Sequence, residues 1–172
     1  MLNNCNCSDL DIPEYLHTND KLAINDFTGD ELLYRRFKPI KDPNGDPNIF
    51  KDGTVSKSIF STKTPMSCNR QKYSLCEKDV LFNTNKPEHF VNWGIIALKV
   101  GIINEFKYVC SKDDTYTLNV LHEPHPCMYP HSSVYIIKNG RQLDGLEKPE
   151  SPKIKIKEYY SKNATILTSP EE

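Results

Sequence analysis

No apolar run in this chain approaches the ~20 residues that a bilayer-spanning helix needs. The longest, Trp93 to Ile103, is broken by Lys99 and Gly101, so no membrane partner is expected. The N-terminus lacks the basic start and apolar stretch of a secretory leader, and a cytosolic setting follows as the expectation. Charge of one sign is missing too: 22 Lys and Arg stand against 23 Asp and Glu, a net charge of -1. No global basic field draws such a chain to duplex nucleic acid or anionic lipid. Internal repeats and low-complexity blocks are absent, and glycine is scarce, 7 residues against 12 prolines. What is there is apolar and aromatic material sufficient for one core in 172 residues, divided by many turn formers. The six cysteines at 5, 7, 68, 76, 110 and 127 are read as free thiols, because a chain of this size can build a core without staples.

Residues 1–28 are polar with scattered apolar positions and read as an N-terminal arm, with residues 29–172 as a single α+β domain. Short apolar runs separated by turn dipeptides outnumber any sustained 3.6-residue periodicity, which predicts a mixed, mostly antiparallel sheet with few helices. Its strands are Glu31 to Phe37, Gly94 to Val100, Thr115 to Leu121 and Ser132 to Lys138. Thr54 to Phe60 reads as a further short strand or extended segment, Tyr108 to Ser111 as the first arm of a hairpin, and Lys38 to Gly53 as a long loop. Asn139-Gly140 suits a turn with two residues at positive φ, and Lys153 to Lys162 reads as a short helix, with a strand as the alternative.

Three groups of residues carry chemistry. Alternation along Glu31 to Phe37 places one arginine on each face, Arg36 with Leu32 and Tyr34, Arg35 with Leu33 and Phe37. An arginine on such a strand and a serine on a neighbour, Ser67 with Arg70 close by, can hold phosphate or carboxylate through the guanidinium fork. The alternative is that the arginines pair with Asp30, Glu31 or Asp42. The second group is Leu121 to His131, which carries His122, His125, Cys127 and His131 among three prolines. It reads as an acid–base pair of His122 and His131, as structural histidines, or as a zinc site that the prolines make hard to converge. The third, Lys153-x-Lys155-x-Lys157 with Tyr159 and Tyr160, is a solvated face or a docking segment for a protein partner.

The order Leu33-Tyr34-Arg35-Arg36-Phe37, then Asp52-Gly53 with Ser56 and Ser58 before Phe60, then Met66-Ser67, an apolar strand, and Pro130-His131 entering a strand resembles a family of small uncharacterised bacterial proteins over roughly residues 31 to 138. The resemblance implies a bacterial, cytosolic, single-domain protein. The chain departs from that pattern in the insertion Ser111 to Asn119 and in the histidine-rich turn. A more distant likeness is to ADP-ribosyltransferase-like toxins. There Arg35 or Arg36 and Ser67 are the matching positions, Glu105 or Glu123 would have to supply the catalytic carboxylate, and a toxin or defence context is implied.

The reading that results is a polar cleft binding a small anionic or phosphate-bearing ligand. Arg35, His122 and His131 are the candidate catalytic residues, and Arg36, Ser67 and Arg70 the ligand-binding ones, with no metal and no cofactor. The alternatives are a non-catalytic protein interaction module and a metal-independent ribonuclease-like or ADP-ribosyltransferase-like enzyme.

Overall fold

The computed structural model describes residues 11–18, 21–39, 48–50, 52–82, 84, 89–146 and 150–170. The strands are β1 (Leu32–Phe37), β2 (Met66–Arg70), β3 (Gly94–Lys99), β4 (Lys107–Ser111), β5 (Asp114–His122), β6 (His131–Lys138), β7 (Arg141–Leu143) and β8 (Thr165–Thr168). The helices are α1 (Val100–Glu105) and α2 (Glu150–Asn163). All eight strands join one sheet in the order β4-β5-β6-β2-β1-β3-β8, with β7 paired to β6. Every pairing is antiparallel. This is the single α+β domain, built on a mostly antiparallel sheet with two helices, that the short apolar runs predict.

β1 and β3 pair along their whole length, from Leu32↔Lys99 to Phe37↔Gly94. One face of this pair carries Leu33, Phe37, Ile96 and Leu98 into the main core, where they meet Phe60, Tyr116 and Val134. α2 seals that face with Ile156 and Tyr160, both buried, and Tyr160 lies 5.3 Å from the Phe60 ring. Full burial of a residue such as Ile156 stabilises by about 1.5–3 kcal/mol. The opposite face holds Tyr34, Ile95 and Ala97 against Val80 of a 3₁₀ turn, Glu77–Leu81. Asp79 ties that turn down by accepting from the Leu75 N–H at 2.7 Å and the Tyr15 hydroxyl at 2.7 Å.

Several local expectations hold: α2, the β4–β5 hairpin, and the Asn139-Gly140 turn with φ of 51° and 79°. The strand reading of Thr54 to Phe60 does not. Val55 makes a single bridge to Ile49, and a 3₁₀ turn follows at Lys57–Ile59 because the Ser56 hydroxyl accepts from the Ser58 N–H at 3.2 Å. Such a local bond competes with a ladder. β8 was not expected. It is four residues long and half threonine, too short for alternation to show. Residues 40–47 and 51 of the expected long loop lie outside the described residues.

Residues 11–18 of the arm pack against the histidine-rich loop. Ile12 and Leu16 are buried against Cys127 and Met128, the Thr18 N–H donates to the Pro126 carbonyl at 3.1 Å, and the Tyr129 N–H to the Leu16 carbonyl at 2.7 Å. These bonds clamp the histidine-rich loop from below. Cys68, Cys76 and Cys110 are free thiols, whereas Cys127 is disulfide-bonded, which corrects the free-thiol expectation there. No helix among the described residues is long and apolar enough to cross a membrane.

Candidate functional site

β1 and β2 pair only at Leu33↔Arg70 and Tyr34↔Asn69. Beyond Tyr34 the two strands part, while β1 stays on β3 through Phe37 and β2 stays on β6 through Met66. A split between two neighbouring strands leaves ladder groups without their strand partners. Arg35 supplies one: its Nη1 donates to the Ser67 carbonyl at 2.8 Å. The split opens a cavity of about 310 Å³, lined by Arg35, Arg36, Ser67, Asn69, His125 and His131, with Trp93, Phe82 and Met128 as its apolar wall. Arg35 and Arg36 leave opposite faces of β1, yet both line the cavity, and Arg35 reaches across the gap to the Ser67 carbonyl.

Arg36 Nη1 donates to the Val80 carbonyl at 2.7 Å, and its guanidinium sits 4.0 Å from the centre of the Phe90 ring. Burial, reinforced by the neighbouring Arg35 charge, lowers its pKa to about 10. Arg35 keeps its Nε buried with no hydrogen-bond partner among the described residues. No ion pair among those residues involves either arginine. Two adjacent half-buried cations without an anion repel each other, and an anion between them relieves both.

His131, the first residue of β6, has a defined tautomer. Its Nδ1 lies 2.7 Å from the Glu123 carbonyl, which can only accept, so Nδ1 carries the proton. Nε2 is left with a lone pair for the Ser67 hydroxyl, 2.9 Å away. Burial, then the neighbouring His125, pushes the His131 pKa down to about 4, with Arg36 adding to the effect. The His125 ring centre is 3.7 Å from that of His131, the two rings tilted by 40°, and burial lowers the His125 pKa as well. Both rings are neutral at pH 7.

Of the six candidate residues, Arg35, Arg36, Ser67 and His131 meet in the cavity; the other two do not. His122 is buried, with Nδ1 accepting from the Ile24 N–H at 3.0 Å, Nε2 donating to the Tyr129 carbonyl at 2.7 Å, and its face stacked on Tyr73. Both nitrogens are spent on backbone, so the pairing of His122 with His131 as acid and base is corrected: the histidine beside His131 is His125. Arg70 is fully buried and bonds Glu31 through Nε and Nη2, both at 2.8 Å. It holds the 24–31 segment to β2 and is not a ligand-binding residue. Glu105 lines a different cleft, and Glu123 accepts the Tyr135 hydroxyl at 2.7 Å, so neither carboxylate joins the arginines. Among the described residues no three His, Cys, Asp or Glu side chains gather as a metal ion requires.

Sequence reasoning missed Asn69 and Trp93. Asn69 is two residues from Ser67 on β2, so period-2 alternation alone places both on one face. Nothing local to Trp93 marks it. Comparison with protein-family models, with curated proteins and with solved structures found no match.

Proposed function

We propose that the protein binds a phosphate-bearing ligand in the split between β1 and β2, with Arg35 and Arg36 as its cationic floor. One observation carries the reading: two neighbouring guanidiniums line a 310 Å³ cavity and have no carboxylate partner among the described residues. Ser67, Asn69 and the two neutral imidazoles add hydrogen-bonding groups, and Trp93 with Phe82 offers an apolar wall to the rest of the ligand. Lys38 stands over Trp93, 5.9 Å from its ring centre, and adds positive charge beside that wall. A cytosolic setting belongs to the same reading. The free thiols of Cys68, Cys76 and Cys110 support it, and the disulfide at Cys127 weighs against it.

Calorimetric titration of the full chain with inorganic pyrophosphate tests the reading. Saturable binding is expected, and Arg36→Ala should weaken it roughly 10- to 100-fold, since a hydrogen bond to a charged group contributes about 1.5–3 kcal/mol. Arg35→Ala should weaken it by a similar factor. His122→Ala serves as the contrast: it strands the Ile24 N–H and Tyr129 carbonyl, lowers stability by about 2 kcal/mol and leaves binding by the folded protein unchanged. Failure of the wild type to bind pyrophosphate, or undiminished binding by both arginine variants, would remove the proposal.

A further inference from the structure

We propose that Ser67 is a nucleophile toward the phosphorus of a phosphate monoester, with His131 as its proton acceptor; the inference rests on reading the split as a phosphate site. Nucleophile, base and orienting group are all present: Ser67 Oγ lies 2.9 Å from His131 Nε2, and His131 Nδ1 lies 2.7 Å from the Glu123 carbonyl. This is the arrangement by which a histidine activates a hydroxyl while a third group holds its tautomer. The register of β2 on β6 produces it. Ser67 pairs with Ser133 and Asn69 with His131, so Ser67 and His131 are diagonal neighbours on one face, within reach of each other. The Ser67 backbone is gripped on both sides, by β6 through the ladder and by Arg35 at its carbonyl. Its side chain is on the cavity wall with Arg35 and Arg36.

In the step, Ser67 Oγ bonds to phosphorus as the ester P–O bond breaks on the opposite side. The hydroxyl proton passes to His131 Nε2, and the alcohol oxygen departing on the far side takes a proton from solvent, leaving phosphoserine at position 67 and an imidazolium at His131. A water oxygen then attacks the phosphorus from the side the alcohol left, giving its proton to solvent, and His131 Nε2 returns its proton to Ser67 Oγ as inorganic phosphate leaves. The sum is ester plus water giving alcohol plus phosphate, with no oxidant or further reactant. Arg35 and Arg36, both on the cavity wall, neutralise the non-bridging oxygens. The charged and titratable groups facing His131 are His125 and Glu123 from the loop before β6 and Arg36 from β1. Arg36 and His125 oppose protonation of the imidazole in the empty site, and the substrate's negative charge offsets that opposition.

A fluorophosphonate probe tests this on the full chain, read by intact mass and by mapping of the labelled peptide, alongside calorimetry with inorganic phosphate. One adduct at Ser67 is expected, absent in Ser67→Ala, slowed about 100-fold in His131→Gln and suppressed by inorganic phosphate. The wild-type labelling rate should be flat between pH 6 and 8, because His131 is already neutral there. An unassisted serine would instead react in proportion to hydroxide, about tenfold faster per pH unit. That profile keeps the test decisive should His131→Gln not fold. Phosphate binding without labelling of Ser67, equal labelling of His131→Gln, or a rate that climbs with hydroxide in the wild type overturns the nucleophile and leaves the phosphate site standing. Labelling of Ser67 that phosphate does not suppress overturns the monoester as substrate.

Discussion

Arg70→Ala is expected to destabilise the fold by about 3–5 kcal/mol, the cost of removing one partner from a buried ion pair. The guanidinium is fully buried, bonds both oxygens of Glu31 at 2.8 Å, reaches Asp26 at 3.1 Å and also donates to the Ile24 carbonyl. Aromatic faces close it in, with Phe27 at 3.8 Å and Tyr73 at 4.8 Å. Glu31 is itself 6% exposed, so without Arg70 its carboxylate stays desolvated and unmatched. Removing both charges should recover much of the loss, since a buried pair replaced by apolar groups of similar volume is often neutral. Urea unfolding of Arg70→Ala and of the double variant Glu31→Gln, Arg70→Met checks this. A loss under about 1 kcal/mol in Arg70→Ala would mean that water reaches the site.

Acid should undo the fold through its histidines before its carboxylates. Burial pushes the His131 pKa down to about 4 in the folded protein from an ordinary 6.5, so the unfolded chain binds a proton that the folded one refuses. Its contribution to stability is complete above pH 6.5 and is lost as pH falls from there to about 4, where the folded form protonates too. A shift of that size corresponds to about 3 kcal/mol. Burial also depresses the pKa of His122, and desolvation that of His125, both in the same sense. Stability should therefore fall with pH by up to about 1.4 kcal/mol per unit for each histidine titrating. Unfolding midpoints between pH 7.5 and 4 measure the slope, and His131→Asn should flatten it by about one proton. A wild-type slope of zero across that window would show that His131 titrates at its ordinary value.

Local chemistry made part of this molecule legible. An apolar run such as Gly94–Lys99 can only be a strand covered on both faces, and Asn139-Gly140 tolerates the positive φ that a two-residue turn demands. Arg35 and Arg36 were legible as candidates because two cations inside an apolar strand need an explanation, and His131 because it enters a strand directly after a proline. What no local pattern carries is the partner of each side chain. Arg35, Arg36 and Arg70 are the same residue type, yet Arg70 finds Glu31, 39 positions away, and disappears into the fold, while the other two line a cavity. His122 and His131 look alike in the chain, but the Ile24 N–H, 98 positions off, occupies one nitrogen of His122, and Ser67, 64 positions off, meets the open nitrogen of His131. Local sequence marked β1, β3, β5 and β6, the β4–β5 hairpin, the Asn139-Gly140 turn and the types of residue able to hold an anion, but not β8. The parting of β1 from β2, and with it the choice of which arginines and which histidine face the cavity, was decided only in the tertiary structure. Pairing between strands is a competition among distant segments, and β3 and β6 hold the outer sides of β1 and β2 where those two let go of each other.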